Sequence, residues 1–508
     1  MHKASVRLDV ARVIGDVNRR LFGSFVEHLG RCVYDGIYEP SHPLADTDGF
    51  RTDVLELVKE LGVTTIRYPG GNFVSGYRWE DGVGPRENRP RRLDLAWHST
   101  ETNAFGLDEF AAWSAKAGTE MMMAVNLGTR GVLEALDVLE YSNIAGGTAY
   151  SEQRKLNGAT EPYAITMWCL GNEMDGPWQL GHSSAEEYGA IAAKTAKAMR
   201  QLDERIELVV CGSSSAQMPT FGEWERVVLE HTYEDVDYIS CHAYYEEVDG
   251  DRDSFLASAI NMDRFIEAVV ASADHVKALK RSEKTINISF DEWNVWYQQR
   301  YRTVDKITGI ENWPEAPRLL EDNYSVVDAV VFGSLLISLV NHSDRVTSAS
   351  LAQLVNVIAP IMTEPGGPTW RQTTFYPFAT TARLARGIAI DLTIEASTLP
   401  TNTYGTVPVI DAAATWDESA GEISVFLVNR SQTQIVTVSI ELDRNGRVSE
   451  AVMLSDDDHD ARNTLQDPNR VQLQPNTTAS LVDRTLTIDL PPVSWTAVTV
   501  TTAAAGDM

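Results

Sequence analysis

Two glutamates that follow β-rich apolar runs pose the chemical question in this sequence. Glu173 ends ITMWCLGNE (165–173), and Glu292 lies within INISFDEWNVWY (286–297). A carboxylate at the end of a buried strand is costly unless something pairs with it or uses it. The two are 119 positions apart, which fits three strand–helix units of roughly 40 residues each, an ordinary length in a (β/α)8 barrel. Strands four and seven of such a barrel stand nearly across its mouth, so both side chains can converge on one ligand. Opposed carboxylates are the minimum equipment for glycoside hydrolysis: a general acid for the leaving oxygen, and a nucleophile or base at the anomeric carbon.

These roles need different pKa values. Arg67 and the hydroxyl of Tyr244 are expected to hold Glu292 ionised, because a cation and a hydrogen-bond donor both favour the charged form. Glu173, emerging from the apolar WCLG run, is expected to be desolvated and to keep its proton until it donates it.

The elements that must position these groups are legible as alternation. Strand-like runs occur at 21–29, 63–70, 119–128, 165–173, 206–214, 236–245, 286–297 and 346–355. Between them, segments such as TDVLELVKELG, LDEFAAWSAKAG and AEEYGAIAAKTAKAMRQLD show helical spacing. Eight strands with intervening helices predict parallel strands joined by right-handed crossovers and closed into a barrel. An open doubly wound sheet is the alternative, but no Gly-rich dinucleotide fingerprint follows the first strand. In a barrel, functional residues sit at the C-terminal strand ends. Those ends carry Glu27 and His28, Arg67 with Asn72, Asn172 with Glu173, His242 with Tyr244, Asp291 with Glu292, and Gln353. His242 reads equally as a contact to the ligand or as a residue that orients its neighbours. Trp79, Trp97, Trp178, Trp296 and Trp313 either pack internally or offer faces for sugar C–H groups.

Near residue 388 the helical pattern gives way to short runs, EISVFLVNR, QIVTVSIEL, RTLTIDL and SWTAVTV, which predict an antiparallel sandwich over 388–508. The opening segment, SVRLDVARVIGDV, is also strand-like and is expected to join that sandwich from residues 1–16. This leaves 17–387 for the barrel. SVVDAVVFGSLLISLV (325–340), interrupted by Asp328, is short for a membrane span and reads as a buried helix.

Composition narrows the function further. The 508 residues carry a net charge of −29, which argues against nucleic acid or an anionic membrane as partner and suits a neutral or cationic ligand. MHKASVRLDVARVIGD lacks a signal-peptide core. Cys32, Cys169, Cys211 and Cys241 show no CxxC spacing, so buried thiols in a reducing cytoplasm are expected. No HExxH or paired-histidine spacing supports a metal, and VDGDRDS lacks the Gly and Glu of a calcium loop. It and DDDHD (456–460) read as solvated loops. The rival classes are metal-assisted hydrolysis and a non-catalytic carbohydrate-binding barrel.

The residues resemble a known family. NE at the end of strand four and Glu at the end of strand seven are similar to the pattern of retaining clan A glycoside hydrolases. LFGSFVEHLGRCVYDGIYEP, IRYPGGNFVSGYRWEDGVGP, WCLGNEMDGPWQLGH, ISFDEWNVWY and LAQLVNVIAP resemble family 51 α-L-arabinofuranosidases across the whole barrel. The resemblance implies a (β/α)8 barrel with a β-sandwich, and a retaining, exo-acting enzyme with Glu173 as acid/base and Glu292 as nucleophile. It further implies that Glu27, Asn72, Asn172 and Gln353 bind furanose hydroxyls, Asn172 at the 2-OH. Tyr244 and Arg67 would position the nucleophile, with His242 as further support, and Trp97, Trp178 and Trp296 would wall the pocket. No cofactor is implied, and a homo-oligomer, commonly a hexamer, is. The loop 298–324 is expected to shape the leaving-group side. A clan relative cleaving a β-linked xyloside or glucoside is the alternative.

Overall fold

The computed structural model describes residues 2–502. Eight strands close into a parallel barrel: β1 (Gly23–Phe25), β2 (Thr65–Tyr68), β3 (Glu120–Val125), β4 (Met167–Leu170), β5 (Glu207–Val210), β6 (Tyr238–Tyr245), β7 (Asn287–Val295) and β8 (Val346–Leu351). Each lies within one of the eight expected runs. Several are shorter than their run, because the residues that follow leave the ladder to form the mouth. The strands are buried on both faces, as a parallel sheet clothed by helices requires. Met122, Met167, Cys169 and Val209 fill the barrel interior, while the outward side chains meet helices α1 (Thr52–Leu61), α2 (Leu107–Ala117), α3 (Val132–Asn143), α4 (Ala185–Leu202), α5 (Glu223–Thr232), α6 (Ala259–Lys280), α7 (Val326–Asn341) and α8 (Phe375–Leu384).

Two sheets, antiparallel except for one strand pair, stack beside the barrel. The seven-stranded sheet has Ile410–Asp417, Glu422–Asn429 and Ser494–Thr502 at its centre, and the five-stranded sheet has Val436–Leu442 in the middle. Val6, Leu427, Val438, Ile488 and Val498 belong to the apolar layer between them. The N-terminal segment forms two strands rather than one. His2–Leu8 runs parallel to Val436–Leu442 in the smaller sheet, whereas Val13–Asp16 pairs with Ile388–Ile390 in the larger. Between them the chain turns on Asp9, whose carbonyl accepts from Arg12 N at 2.9 Å.

Helix α7 joins the two parts. Its whole length through Val340 is buried because it is covered twice: Phe332 packs on Trp293 of β7, and Asn341 donates to Ala412 O of the larger sheet at 3.0 Å. Asp328, the one charge in the run, closes a capping box at the helix start, accepting from Ser325 N at 2.7 Å and from the Tyr297 hydroxyl at 2.6 Å. Among the described residues, no helix is long and apolar enough to cross a membrane.

The acidic loops are tied down rather than merely solvated. Asp251 accepts from Ser254 N at the start of a short helix, and Asp253 accepts from Gln432 of the sandwich. Asp460 pairs with Arg252 across the domains at 2.9 Å.

Gly333 of α7 lies so close to the sandwich that an added Cβ would sit 2.2 Å from Cδ1 of Trp495. Gly333→Ala is therefore expected to destabilise the protein by about 1–3 kcal/mol, the usual cost of overpacking, and to lower the midpoint of thermal unfolding. A midpoint equal to the wild type's would mean that the two layers can slide apart freely.

Candidate active site

Strand β7 delivers two adjacent carboxylates to the barrel mouth. A regular strand cannot do this, because consecutive side chains point to opposite faces. Against β6, Ser289 pairs with Ser240 and Glu292 with His242; against β8, Phe290 pairs with Ala349 and Trp293 with Leu351. β7 thus carries one residue more than each neighbour, a β-bulge at Asp291–Glu292. Phe290 and Trp293 keep facing the helices, where they meet Phe265 and Phe332. Asp291 and Glu292 both turn inward and are 1% and 5% exposed.

Glu292 is held at both oxygens. Oε1 accepts from Arg67 Nη1 at 2.7 Å, and Oε2 from the Tyr244 hydroxyl at 2.7 Å. Arg67 also donates from Nη2 to Asn172 Oδ1 at 2.6 Å, and its Nε lies 3.8 Å from Asp291. Burial acts against the guanidinium's charge, but Asp291 and Glu292 outweigh it and push its pKa further up. Tyr244 rises well above the usual phenol value, through burial first and then the Glu292 charge, so it stays a donor.

Past β4 the chain turns through Gly171 (φ 93°) and Glu173 (φ 42°). A non-glycine residue in the left-handed region costs on the order of 1–3 kcal/mol and persists only when its surroundings hold it. Here Glu173 Oε1 meets His242 Nδ1 at 2.9 Å, and Oε2 accepts from Trp178 Nε1 at 2.6 Å. Asp175 pins the same turn, its Oδ2 accepting from the backbone and hydroxyl of Ser214 at 3.0 and 3.1 Å. Glu173 is thus buried, as expected, but in a polar setting, since both of its oxygens accept hydrogen bonds.

His242 takes the orienting role, one of the two read for it. It approaches Glu292 only to 3.6 Å, and its ring nitrogens bond Glu173 and Asp291 at 2.9 Å each. Burial alone would lower its pKa, yet the carboxylates of Glu292, Asp291 and Glu173 outweigh burial and raise it to about 10. His242 is an imidazolium at neutral pH, with both nitrogens donating. One ligand-type atom from each of Glu173, His242 and Glu292 falls within 4.8 Å of the others, and both His242 nitrogens are already engaged by Glu173 and Asp291.

The opposite side of the mouth is built on β1, β2 and β8. Glu27 Oε1 accepts from Phe73 N and Trp97 Nε1, both at 2.9 Å, and Oε2 from Gln353 Nε2 at 3.1 Å. Burial pushes Glu27 up to about 8; the Phe73 and Trp97 bonds pull it back, and Glu292 and Asp94 add to the rise. Its carboxyl is thereby biased toward the neutral form. Gly71 leaves room here, since a Cβ would come within 3.0 Å of Glu292 Oε1. His28, although next to Glu27, faces away and bonds Glu101 and Tyr68 at 2.8 and 2.7 Å.

A cavity of about 1370 Å³ opens over these groups, lined by Glu27, Asn72, Glu173, Tyr244, Glu292 and Gln353. Trp97 and Trp296 line it, and Trp178 stands at its surface, 52% exposed. Arg67, His242 and Asn172 are buried behind the lining. Of the other tryptophans, Trp79 packs on Tyr141 and Tyr150, and Trp313 stacks on His98. Tyr301 and Arg302 of the 298–324 loop reach the cavity. Asp94, absent from the sequence-based set, accepts from Ala96 N and Trp97 N at 3.0 Å each and so holds the Trp97 turn. Its signal was present in the Asp-Leu-Ala-Trp spacing of an Asx-type turn.

Residues 57–252 match the family model described as the α-L-arabinofuranosidase 1 domain, and residues 291–494 that of the α-L-arabinofuranosidase C-terminal domain. An exo-α-(1→6)-L-arabinofuranosidase of Bifidobacterium longum is 62% identical over 96% of this chain and 95% of its own. A structure of a family 51 α-L-arabinofuranosidase from Bifidobacterium longum superimposes with a TM-score of 0.95 at 53% identity, covering 98% of this chain and 100% of that one. The chain belongs to the family 51 α-L-arabinofuranosidases. It is a glycoside hydrolase. An intracellular exo-α-(1→5)-L-arabinofuranosidase of Streptomyces lividans is 59% identical over 98% of this chain and 75% of its own.

In this family 51 chain the His242 charge has a consequence for stability. A histidine raised from 6.5 to about 10 contributes stability that is full below pH 6.5 and is lost as pH rises through 10. The difference in thermal midpoint between wild type and His242→Gln should therefore be largest near pH 6 and close progressively toward pH 10. A difference that does not vary over that range would mean that His242 is neutral in the fold.

Proposed function

We propose that this chain is a retaining, exo-acting α-L-arabinofuranosidase that removes terminal arabinofuranosyl residues from arabinan- and arabinoxylan-derived oligosaccharides. The observation that carries the reading is the pair of glutamates on β7 and past β4, with ligand-type oxygens within 4.8 Å of each other. Retaining glycosidases hold their carboxyl groups about 5–5.5 Å apart, whereas inverting ones leave about 6.5–9.5 Å for a water. Glu292, gripped by Arg67 and Tyr244, attacks the anomeric carbon as Glu173 gives its proton to the glycosidic oxygen. The bond from sugar to leaving group breaks, and a glycosyl ester of Glu292 forms. Glu173 then takes a proton from water, which displaces Glu292 and restores the anomeric configuration.

His242 keeps Glu173 aimed at the leaving oxygen through their 2.9 Å bond. Asn172 presents Nδ2 to the 2-hydroxyl, because Arg67 already occupies its Oδ1 and its Nδ2 contacts are long, 3.3 and 3.5 Å. Glu27, Asn72 and Gln353 receive the remaining hydroxyls, and Trp97, Trp178 and Trp296 supply apolar faces. The interlocked Glu27, Gln353 and Trp97 bonds brace this wall of the pocket, and the names of the relatives support exo action. The names of the relatives support an intracellular enzyme and include both α-(1→5) and α-(1→6) linkages. Two carboxylates suffice for this chemistry, so no cofactor is required. We further read the chain as segments 1–16, 17–387 and 388–508, working as a homo-oligomer.

The test is hydrolysis of aryl α-L-arabinofuranosides beside β-D-xylopyranoside and β-D-glucopyranoside. Arabinofuranoside cleavage by the wild type should be abolished in Glu292→Ala. Glu173→Ala should lose about 10²–10⁴-fold on substrates whose leaving group needs protonation and far less on a dinitrophenyl glycoside. Proton NMR of the first product should show the substrate's anomeric configuration. Inversion, or equal loss on all leaving groups in Glu173→Ala, would defeat the assignment.

A further inference from the structure

The cavity is larger than the reaction needs. Its volume of about 1370 Å³ exceeds the roughly 300–1,000 Å³ of an ordinary small-molecule site. The pocket for the cleaved sugar uses β1, β2 and β8 together with the two carboxylates. On the β6 side the wall is of another origin. There the cavity is lined by Val248 and Phe255 of the loop after β6, and by Asn402, Thr403 and Tyr404. These last three are the turn of a hairpin, Thr398–Thr401 with Gly405–Pro408, in the antiparallel domain.

The hairpin is built into this position. Thr403 N donates to Ser254 Oγ at 3.1 Å, and the side chains of Asn402 and Tyr404 stand beside Asp251 and Ser258. Nearby, Arg252 grips Asp460 and Gln432 donates to Asp253. A surface fixed by so many bonds loses little freedom when a ligand settles on it. Its chemistry is mixed: an exposed amide, hydroxyls, a half-buried phenol ring, the exposed apolar side of Val248 and the hydrogen-bond-accepting carboxylates of Asp249 and Asp251. Such a surface recognises hydroxyl-rich, uncharged rings by hydrogen bonds and by packing on their C–H faces.

We propose that the turn Asn402–Tyr404 forms, with Val248 and Phe255, a distal subsite for a sugar of the leaving group beyond the one attached to the scissile bond. This rests on the arabinofuranosidase reading above. The sandwich domain would then contribute directly to the choice of leaving chain.

The experiment compares kcat/KM for 4-nitrophenyl α-L-arabinofuranoside and for α-(1→5)-linked arabinobiose, arabinotriose and arabinotetraose, in wild type, Asn402→Ala and Tyr404→Ala. In the wild type, kcat/KM should rise about three- to tenfold from the disaccharide to the longer chains, the worth of one or two hydrogen bonds. Both variants should lose most of that rise while keeping wild-type rates on the aryl glycoside and the disaccharide, neither of which reaches the turn. A flat length dependence in the wild type overturns the subsite, and needs no variant to show it. A variant that loses the same factor on all four substrates also overturns it, because the hairpin then acts only through folding. Failure of the wild type on the aryl glycoside is a different result, and defeats the functional reading itself.

Discussion

Everything at the barrel mouth depends on balancing three inward carboxylates, Glu173, Asp291 and Glu292, with two buried cations, Arg67 and His242. Taking such charges out of water costs several kcal/mol each unless partners replace the lost hydration. Arg67 does so for three strands at once: it rises from β2, bonds Glu292 on β7 and Asn172 past β4, and stands 3.8 Å from Asp291. His242 links Asp291 to Glu173. With every carboxylate ionised the set carries one excess negative charge. The proton that an acid role demands on Glu173 brings the count to zero. The same network thus meets the cost of burial and the needs of the chemistry.

The bulge in β7 is what makes the network possible. Without it, Asp291 and Glu292 would face opposite sides of the sheet, and His242 would have either a partner or a nucleophile beside it. With it, Asp291 lies behind the imidazole and Glu292 in front of the cavity. Strain is used in the same way at Glu173, where a left-handed backbone is tolerated because Trp178, His242 and Asp175 hold the turn from three directions. Both irregularities sit at the C-terminal rim, and the regular ladders beneath them supply the rigidity.

This explains which features were legible in the sequence. Strand alternation and the clustering of polar residues at strand ends revealed the barrel and brought Glu27, Arg67, Tyr244, Glu292 and Gln353 to one place. The bulge left no trace, because its residues read as ordinary members of an apolar strand; Asp291 was visible at the strand end, but nothing marked it as pointing the same way as Glu292. For the same reason the orienting role of His242 was legible but not its direct partners: its bonds run to Glu173 and Asp291, with Glu292 at 3.6 Å. The setting of Glu173 was only partly legible: it is buried, but its donors, Trp178 and His242, come from a following loop and a distant strand that the apolar run before it does not reveal. Local pattern reports where a side chain starts; long-range partners decide what it meets.

The antiparallel domain follows the same logic on a larger scale. Helix α7 is apolar on all sides because two domains cover it, and its apolar character alone could not say what the second cover was. That packing places the hairpin 398–408 beside the loop after β6, and Arg252 within reach of Asp460. Residues more than a hundred positions from any catalytic strand thereby come to wall the cavity. Loops on a rigid scaffold can change without disturbing the core that carries them. Here the charge network is confined to strand ends, whereas the outer wall is made by loops of both domains. Variation in those loops can therefore alter the leaving chain accepted while the arrangement around Glu173 and Glu292 stays as it is.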